Sequence, residues 1–217
     1  MYCGRVATRG GMARHLRSCP KRQQVIGRGS AAAEDGEPIL HLQVQDTYSG
    51  QYWLHLEMRG SAPLKSLDRY LRAIWLECCG HMSKFTVGDS WGGRDVSEST
   101  KVANALRPGA QLTHVYDFGT SSYTTIKAVN SRTGILPGRH PISLLARNDP
   151  PVMECMKCGE SAVVLCMECV HEHELAGGLC EQHAAAHPHV NYGEPLPIVN
   201  SPRLGMCGYD GPAEAPY

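Results

Sequence analysis

Residues 39–58, ILHLQVQDTYSGQYWLHLEM, set the fold of the central part of the chain. Residues 39–45 and 52–58 each alternate apolar and polar side chains, and a period of two is typical of a half-buried strand. Ser49 and Gly50 lie between the two runs and are a turn signal. We therefore predict a β-hairpin of two half-buried strands.

A helix is expected directly after this hairpin. Pro63 suits its first turn, and Gly80 is a plausible stop. Apolar residues recur between them at intervals of three and four, which marks one buried helical face. These residues are Leu64, Leu67, Leu71, Ile74 and Cys78.

A second hairpin follows the helix. Residues 84–87 suit a short strand and residues 89–99 a loop, whereas residues 111–119 and 122–129 pair naturally as antiparallel neighbours. Hairpins on either side of one main helix predict an α+β domain with an antiparallel sheet, over residues 39–148.

The composition narrows the class of protein. The chain has 217 residues, 42% of them hydrophobic, and a formal net charge of zero, so no overall field favours nucleic acid or acidic membranes. No apolar run approaches the roughly 20 residues of a membrane span, and the N-terminus lacks an apolar signal region. A cytoplasmic protein is expected. Because thiols stay reduced there, its ten cysteines and eleven histidines indicate metal rather than disulfides.

Residues 149–217 contain the strongest motif. Three ligand pairs there each enclose two residues, a spacing that lets both side chains of a tight turn reach one ion. Zinc sites close with four such ligands, so eight candidates predict two structural zinc ions. The candidates are Cys155, Cys158, Cys166, Cys169, Cys180, His183, His187 and His189.

Two pairings of these ligands are open. In a cross-braced module, the first and third pairs share one ion (Cys155, Cys158, Cys180 and His183), and the second pair joins the trailing histidines (Cys166, Cys169, His187 and His189). This order resembles B-box and related interleaved zinc modules. Sequential pairing of Cys155 and Cys158 with Cys166 and Cys169 is the alternative.

The trailing histidines are the weakest part of this assignment. A turn at Pro188 is needed to bring His187 and His189 to one ion, because residues two apart in an extended segment lie roughly 6–7 Å apart. His171, His173 and Cys207 are reserve ligands. The two histidines are otherwise expected to be solvated loop residues, and Cys207 a buried thiol.

Residues 1–22 resemble part of a zinc finger with ligand order cysteine, cysteine, histidine, cysteine. Cys3, His15 and Cys19 match its last three ligands, and the first would precede Met1. Either the start lies upstream, or three protein ligands hold a third ion, or the finger is degenerate; a disordered basic tail is the other interpretation. Phosphate contacts to nucleic acid are the candidate role of Arg14, Arg17, Lys21 and Arg22.

The central domain resembles the plasmid pRiA4b ORF-3-like family, found in plasmids and mobile elements. Tyr52-Trp53-Leu54-His55-Leu56, the helix and Gly80-His81-Met82 carry the resemblance, with His114-Val115-Tyr116-Asp117-Phe118-Gly119 as its strongest part. Thr120 to Tyr123 depart from the acidic residue and tryptophan that the family commonly has there. The resemblance implies an α+β fold with an antiparallel sheet.

No convincing catalytic constellation is found in the sequence. Asp117-Phe118-Gly119 lacks the other kinase motifs and is interpreted as a strand-end turn with Phe118 buried. Lone histidines in strands are usually core or edge residues, so a functional cluster of His55, His81 and His114 is disfavoured. We predict that the protein is not an enzyme.

The function predicted from these motifs is a zinc-binding, non-catalytic interaction protein with a protein partner and no membrane association. Its modules are residues 1–22 (partial finger), 23–38 (linker), 39–148 (central domain) and 149–217 (cross-braced zinc module and tail). The zinc module is acidic, with six glutamates against Lys157 between residues 154 and 181. The alternative is a nucleic-acid-associated factor that uses the basic N-terminal segment; the sequence leaves the oligomeric state open.

Overall fold

An antiparallel sheet of seven strands forms the centre of the structure, a computed structural model that describes residues 3–30, 36–189 and 191–217. In chain order the strands are β1 (Glu37–Asp46), β2 (Trp53–Arg59), β3 (Ser83–Val87), β4 (Arg94–Val96), β5 (Gln111–Tyr116), β6 (Ser122–Gly134) and β7 (Ile142–Arg147). They lie in the order β4-β3-β5-β6-β1-β2-β7, and each neighbouring pair is antiparallel. The α+β class is confirmed.

Both predicted hairpins are present. Gln45 pairs with Trp53 across the first, and Tyr116 pairs with Ser122 across the second. β6 continues to Gly134, beyond the predicted residue 129, because β1 pairs with it as far as Glu37. β4 lies inside the segment predicted as a loop, and β7 was not predicted.

The main helix covers one face of the sheet. It begins at α3 (Leu64–Leu71) and continues as a π-helical turn, Arg72–Leu76. The apolar positions from Leu64 to Ile74 are fully buried against strand residues such as Leu56. The helix ends at Leu76, so Cys78 lies beyond it and is only partly buried. A short helix, α4 (Val102–Ala105), adds Val102 to this core.

Two N-terminal helices cover the opposite face. They are α1 (Arg9–Ser18), whose first turn is capped by the Thr8 hydroxyl, and α2 (Pro20–Ser30). Met12 and Leu16 of α1 are buried in a second apolar cluster with Trp53, Leu145 and Ala146 of the sheet. This segment is therefore a packed helical pair and not a basic tail. Residues 23–30 of the predicted linker are helical, and residues 31–35 lie outside the described residues.

Strand β2 is consequently buried on both faces. Leu54, Leu56 and Met58 belong to the core under α3. Trp53, His55 and Glu57 alternate with them along the strand and therefore lie on the opposite face. His55 is 0% exposed and Glu57 1% exposed. The prediction of a half-buried strand is wrong for β2, because α1 and α2 cover the face on which its polar side chains lie.

Glu57 is held there by two arginines. Arg22 of α2 donates to its Oε1 at 2.6 Å, and Arg132 of β6 donates to both carboxylate oxygens at 2.9 and 3.1 Å. Burial alone would raise the pKa of Glu57, but hydrogen bonds and charge from Arg132 and Arg22 lower it below its usual range. The buried carboxylate is thus ionised and joins α2 to the sheet.

The C-terminal residues form a small module and a returning tail. The module contains β8 (Val164–Leu165), α5 (Met167–Glu172), β9 (Gly178–Leu179), α6 (Glu181–Ala185) and β10 (Leu196–Pro197), with strand order β10-β8-β9. The tail then packs on the central domain, where the Ser201 hydroxyl donates to the Trp75 carbonyl at 2.6 Å. Among the helices of the described residues, none is long and apolar enough to cross a membrane.

We expect Glu57→Ala to lower the free energy of unfolding by about 3–5 kcal/mol, because it leaves the buried guanidinium of Arg22 and the partly buried one of Arg132 without their counter-ion. Chemical denaturation followed by far-UV circular dichroism measures this. Asp95→Ala is the matched control, since that carboxylate is 73% exposed and lies 3.6 Å from Lys84. The control should lose less than about 1 kcal/mol. Equal losses in the two variants would contradict the role of Glu57.

Candidate metal centres

The first C-terminal group contains Cys155, Cys158, Cys180 and His183. Their ligand atoms all lie within 4.8 Å of one another. The Cys158 and Cys180 sulfurs are 3.8 Å apart, and His183 Nδ1 lies 3.5 Å from Cys155 Sγ and 3.2 Å from Cys180 Sγ. Tetrahedral zinc with bonds of about 2.3 Å to sulfur would separate two ligand sulfurs by about 3.8 Å. The group therefore has the dimensions of a metal site.

Backbone hydrogen bonds bring the two halves of this group together. The Met156 amide donates to the Gly178 carbonyl of β9 at 2.9 Å, which places the turn after Cys155 beside the strand that leads to Cys180. Cys180 caps α6, so His183 follows within its first helical turn. The turn at Cys155 is closed by the Gly159 amide, which donates to the Cys155 carbonyl at 2.8 Å.

The second group contains Cys166, Cys169, His187 and His189, again with all ligand atoms within 4.8 Å. Cys166 is the N-cap of α5 and Cys169 lies in that helix. Cys169 Sγ lies 3.4 Å from His187 Nε2 and 3.1 Å from His189 Nδ1. The chain turns after α6, where the His187 amide donates to the Ala184 carbonyl, and both histidines reach one point as the assignment requires.

The reserve histidines lie outside both groups. His171 and His173 are exposed, as expected for solvated residues. The His173 ring is 4.9 Å from the His189 ring, and Glu168, His173 and His189 form a further set of donors within 4.8 Å. Both carboxylate oxygens of Glu168 accept hydrogen bonds from Asn191, each at 3.0 Å.

The pKa shifts of Cys155 in the first group and Cys169 in the second differ in direction. Burial and the neighbouring Cys166 raise the pKa of Cys169 to about 11, because two adjacent thiolates repel each other. A cation between them would remove that repulsion. At Cys155, burial opposes ionisation, but backbone amides of Cys180, Lys157 and Cys158 lower the pKa to about 6. Thiolate and imidazole donors are also the set that zinc prefers.

The observed grouping is the interleaved one, not the sequential one. Cys155 and Cys158 lie with the Cys180–His183 pair, and Cys166 and Cys169 lie with the trailing histidines. These Cys/His clusters could bind metal ions. That the ions are zinc stays a prediction.

A third group lies at the N-terminus and has three donors. Cys3 Sγ is 3.0 Å from His15 Nε2, and Cys19, buried at the junction of α1 and α2, completes the set within 4.8 Å. The backbone amide of Arg22 contributes most to lowering the pKa of the Cys19 thiol. The helical pair therefore brings Cys3, His15 and Cys19 to one point, as the partial finger predicts.

The four basic residues proposed for phosphate contacts differ in exposure. Arg14, Arg17 and Lys21 are exposed on α1 and α2. The assignment of Arg22 is wrong, because its side chain is only 8% exposed and is committed to Glu57 and to the Leu16 carbonyl. A guanidinium in that position cannot reach a phosphate.

The three isolated histidines of the central domain do not converge. His55 contacts His41 across β1 and β2, with 3.0 Å between ring nitrogens, and burial lowers the pKa of His55 to about 4. His114 lies 2.9 Å from Asp68, and His81 lies 3.4 Å from Asp117. The first two are core residues, as expected for lone histidines in strands.

Two expectations about single residues are wrong. Phe118 is 40% exposed, because the turn after β5 directs it to the surface beside Trp91, while Asp117 is the buried member of the turn. Cys207 is exposed, because the tail holds it at the edge of the central domain.

The sequence analysis did not identify Arg203. This side chain is fully buried and donates to Asp117 at 2.7 Å.

Comparison with known proteins adds little to this description. The sequence matches no protein-family model and no curated protein. One similar solved structure is a protein of unknown function, MM3350 from Methanosarcina mazei Go1, with 16% identity and a TM-score of 0.44. The match covers 51% of this chain and 69% of that chain. The resemblance to the plasmid pRiA4b ORF-3-like family stays a prediction.

We expect Cys158→Ser and His187→Ala each to reduce the metal content by one ion per chain, because each removes one donor from a different group. His171→Ala is the matched control, since His171 belongs to neither group. Elemental mass spectrometry of protein purified under reducing conditions, without added metal, measures the ratio. Unchanged metal in both ligand variants would show that the ligand assignment is wrong.

Proposed function

We propose that the protein is a non-catalytic, zinc-stabilised binding protein whose C-terminal module presents a surface to a protein partner. The observation that carries this proposal is the convergence of eight donors into two interleaved groups of four. Four protein donors close a tetrahedral zinc ion and leave no position for a substrate or a reactive water. The ions would then stabilise a fold and take no part in a reaction.

The composition of the module supports a structural role for the metal. Its apolar cluster consists of Cys166, Cys169 and Leu179, with Met156, Val164 and Ala184 packed around it. Two of the three buried members are themselves ligands. So small a core supplies little folding free energy, and a bound metal would provide the rest.

The surface of the module favours a basic or neutral partner. Five glutamates are exposed on it: Glu154, Glu160, Glu172, Glu174 and Glu181. Lys157 is the exposed cation of the same stretch. This charge repels nucleic acid and would steer a basic protein surface toward the module. The central domain would serve as the scaffold, and we keep the plasmid pRiA4b ORF-3-like type as the proposal for its family.

A capture experiment with the full chain tests this function. We expect proteins cross-linked to the wild-type chain in cells to be lost with Cys158→Ser, because loss of the first ion would disorder the part of the surface around it. Glu172→Lys combined with Glu174→Lys should reduce capture several-fold while the metal content stays unchanged. Asp95→Lys, an exposed charge change on the central sheet, is the control. An identical set of captured proteins for all variants would refute the proposal.

A second candidate function is supported by one observation at the opposite end. Arg14, Arg17 and Lys21 are exposed on the helical pair, and residues 1–30 contain no carboxylate. Cationic side chains without neighbouring acids can neutralise phosphates. A nucleic-acid-associated factor would use this surface, and the protein partner would bind elsewhere.

Fluorescence anisotropy with labelled duplex DNA and single-stranded RNA separates the two functions. If this surface binds phosphates, affinity should fall steeply with salt, and Arg14→Ala with Arg17→Ala should lower it several-fold and reduce the salt slope by about two. Lys65→Ala, an exposed cation of the central domain, is the control. Binding that is absent at low salt, or equal in all variants, removes the second candidate.

A further inference from the structure

A fourth cluster of metal-ligand side chains lies where the C-terminal tail meets the central domain. Its members are Cys78, Cys79 and His81, just after the π-helical turn, and Cys207 of the tail. Their ligand atoms all lie within 4.8 Å of one another. We propose that these four residues bind one zinc ion, or a similar divalent metal ion, through three thiolates and one imidazole. The bound ion would fix the tail to the central domain.

The distances between donors match those of the two C-terminal groups. Cys79 Sγ lies 3.6 Å from Cys78 Sγ and 3.7 Å from Cys207 Sγ. His81 Nε2 lies 2.9 Å from Cys79 Sγ and 3.6 Å from Cys207 Sγ. Tetrahedral zinc with Zn–S bonds of about 2.3 Å requires sulfurs about 3.8 Å apart. Three thiolates and one histidine are also an established structural zinc set.

The backbone is shaped so that the donors converge. Gly80 has φ of +80°, a left-handed conformation that turns the chain between Cys79 and His81 and lets both side chains point to one place. Cys207 itself has φ of +53°, which non-glycine residues rarely adopt, and lies in a tight turn between Gly205 and Gly208. The two turns face each other across the end of the sheet.

Arg203 and Asp117 are charged neighbours of the proposed metal centre. One dication with three thiolates and a neutral imidazole carries a net charge of −1. Arg203 is fully buried, and its Nη2 lies 3.4 Å from Cys78 Sγ. Asp117 Oδ2 lies 3.4 Å from His81 Nε2 but also accepts from Arg203 at 2.7 Å, so the arginine lies between the carboxylate and the thiolate. Hydrogen bonds from such neighbours orient ligands and stabilise thiolate charge.

A metal ion at this site would connect distant parts of the chain, and we call the site of Cys78, Cys79, His81 and Cys207 the metal clasp. Cys207 is 128 residues from Cys79. The residues just before it already pack on the central domain through Ser201 and Arg203. A metal at the four donors would hold this end of the tail to the segment between the π-helical turn and β3. The site is separate from the proposed binding module and does not depend on its function.

Metal content and cobalt spectroscopy of the full chain test the clasp. We expect Cys207→Ser and His81→Gln each to bind one zinc ion fewer than the wild type, because each removes a donor from a different segment. Met82→Ala is the matched control, since that side chain is 70% exposed and adjacent to His81. With Co²⁺ alone as the probe, the difference spectrum between wild type and Cys207→Ser should show thiolate charge-transfer and tetrahedral d–d bands.

Further variants keep the test independent of the C-terminal module. Cys158→Ser combined with Cys207→Ser should lose two ions, and hydrogen exchange of residues 198–209 should rise with Cys207→Ser but not with Met82→Ala. Full metal content in both Cys207→Ser and His81→Gln would overturn the clasp. So would a wild-type mass two daltons low without reductant and restored in Cys207→Ser, because that result assigns Cys207 to a disulfide.

Discussion

The burial of strand β2 on both of its faces is the constraint on which the rest of the structure depends. One face carries the aliphatic side chains that pack under α3, and the other carries Trp53, His55 and Glu57. A buried carboxylate is tolerated only when charged partners surround it, and Arg22 and Arg132 supply them from two separate elements. The ion pair therefore specifies where α2 lies, and α2 with α1 places His15 and Cys19 beside Cys3.

The outer segments are attached to this sheet by other means. The N-terminal helices contribute two residues, Met12 and Leu16, to an apolar cluster, and the apolar cluster of the C-terminal module has three buried members, of which two are cysteines. The core under α3, by contrast, joins six of the seven strands through buried side chains. Free energy from apolar burial scales with the area removed from water, so apolar burial stabilises the sheet more than it stabilises the outer segments. Clustered thiols and imidazoles occur in those outer segments.

The sequence predicted what is local and missed what is contributed at a distance. Alternation over residues 39–58 predicts the first hairpin, and ligand pairs that enclose two residues predict both C-terminal groups. The burial of the polar face of β2 was missed because the helices that cover it lie about 40 residues upstream. Glutamate and histidine stand at the polar positions of β2, as they would in a strand with one face in solvent. The cluster of Cys78, Cys79, His81 and Cys207 was missed for the same reason, since Cys207 is 128 residues from Cys79 and follows no spacing rule.

Basic and acidic side chains are concentrated in different segments of the chain. The net charge is zero, yet the described basic residues of the helical pair and the exposed glutamates of the C-terminal module are separated along the chain. Arg22 shows that a basic residue in the first segment can be structural, so only exposure distinguishes a binding cation from a buried counter-ion. Sorted by exposure, the described cations of the helical pair and the glutamates of the C-terminal module form surfaces of opposite sign. The exposed cations and the exposed glutamates therefore differ in the sign of the charge that each attracts.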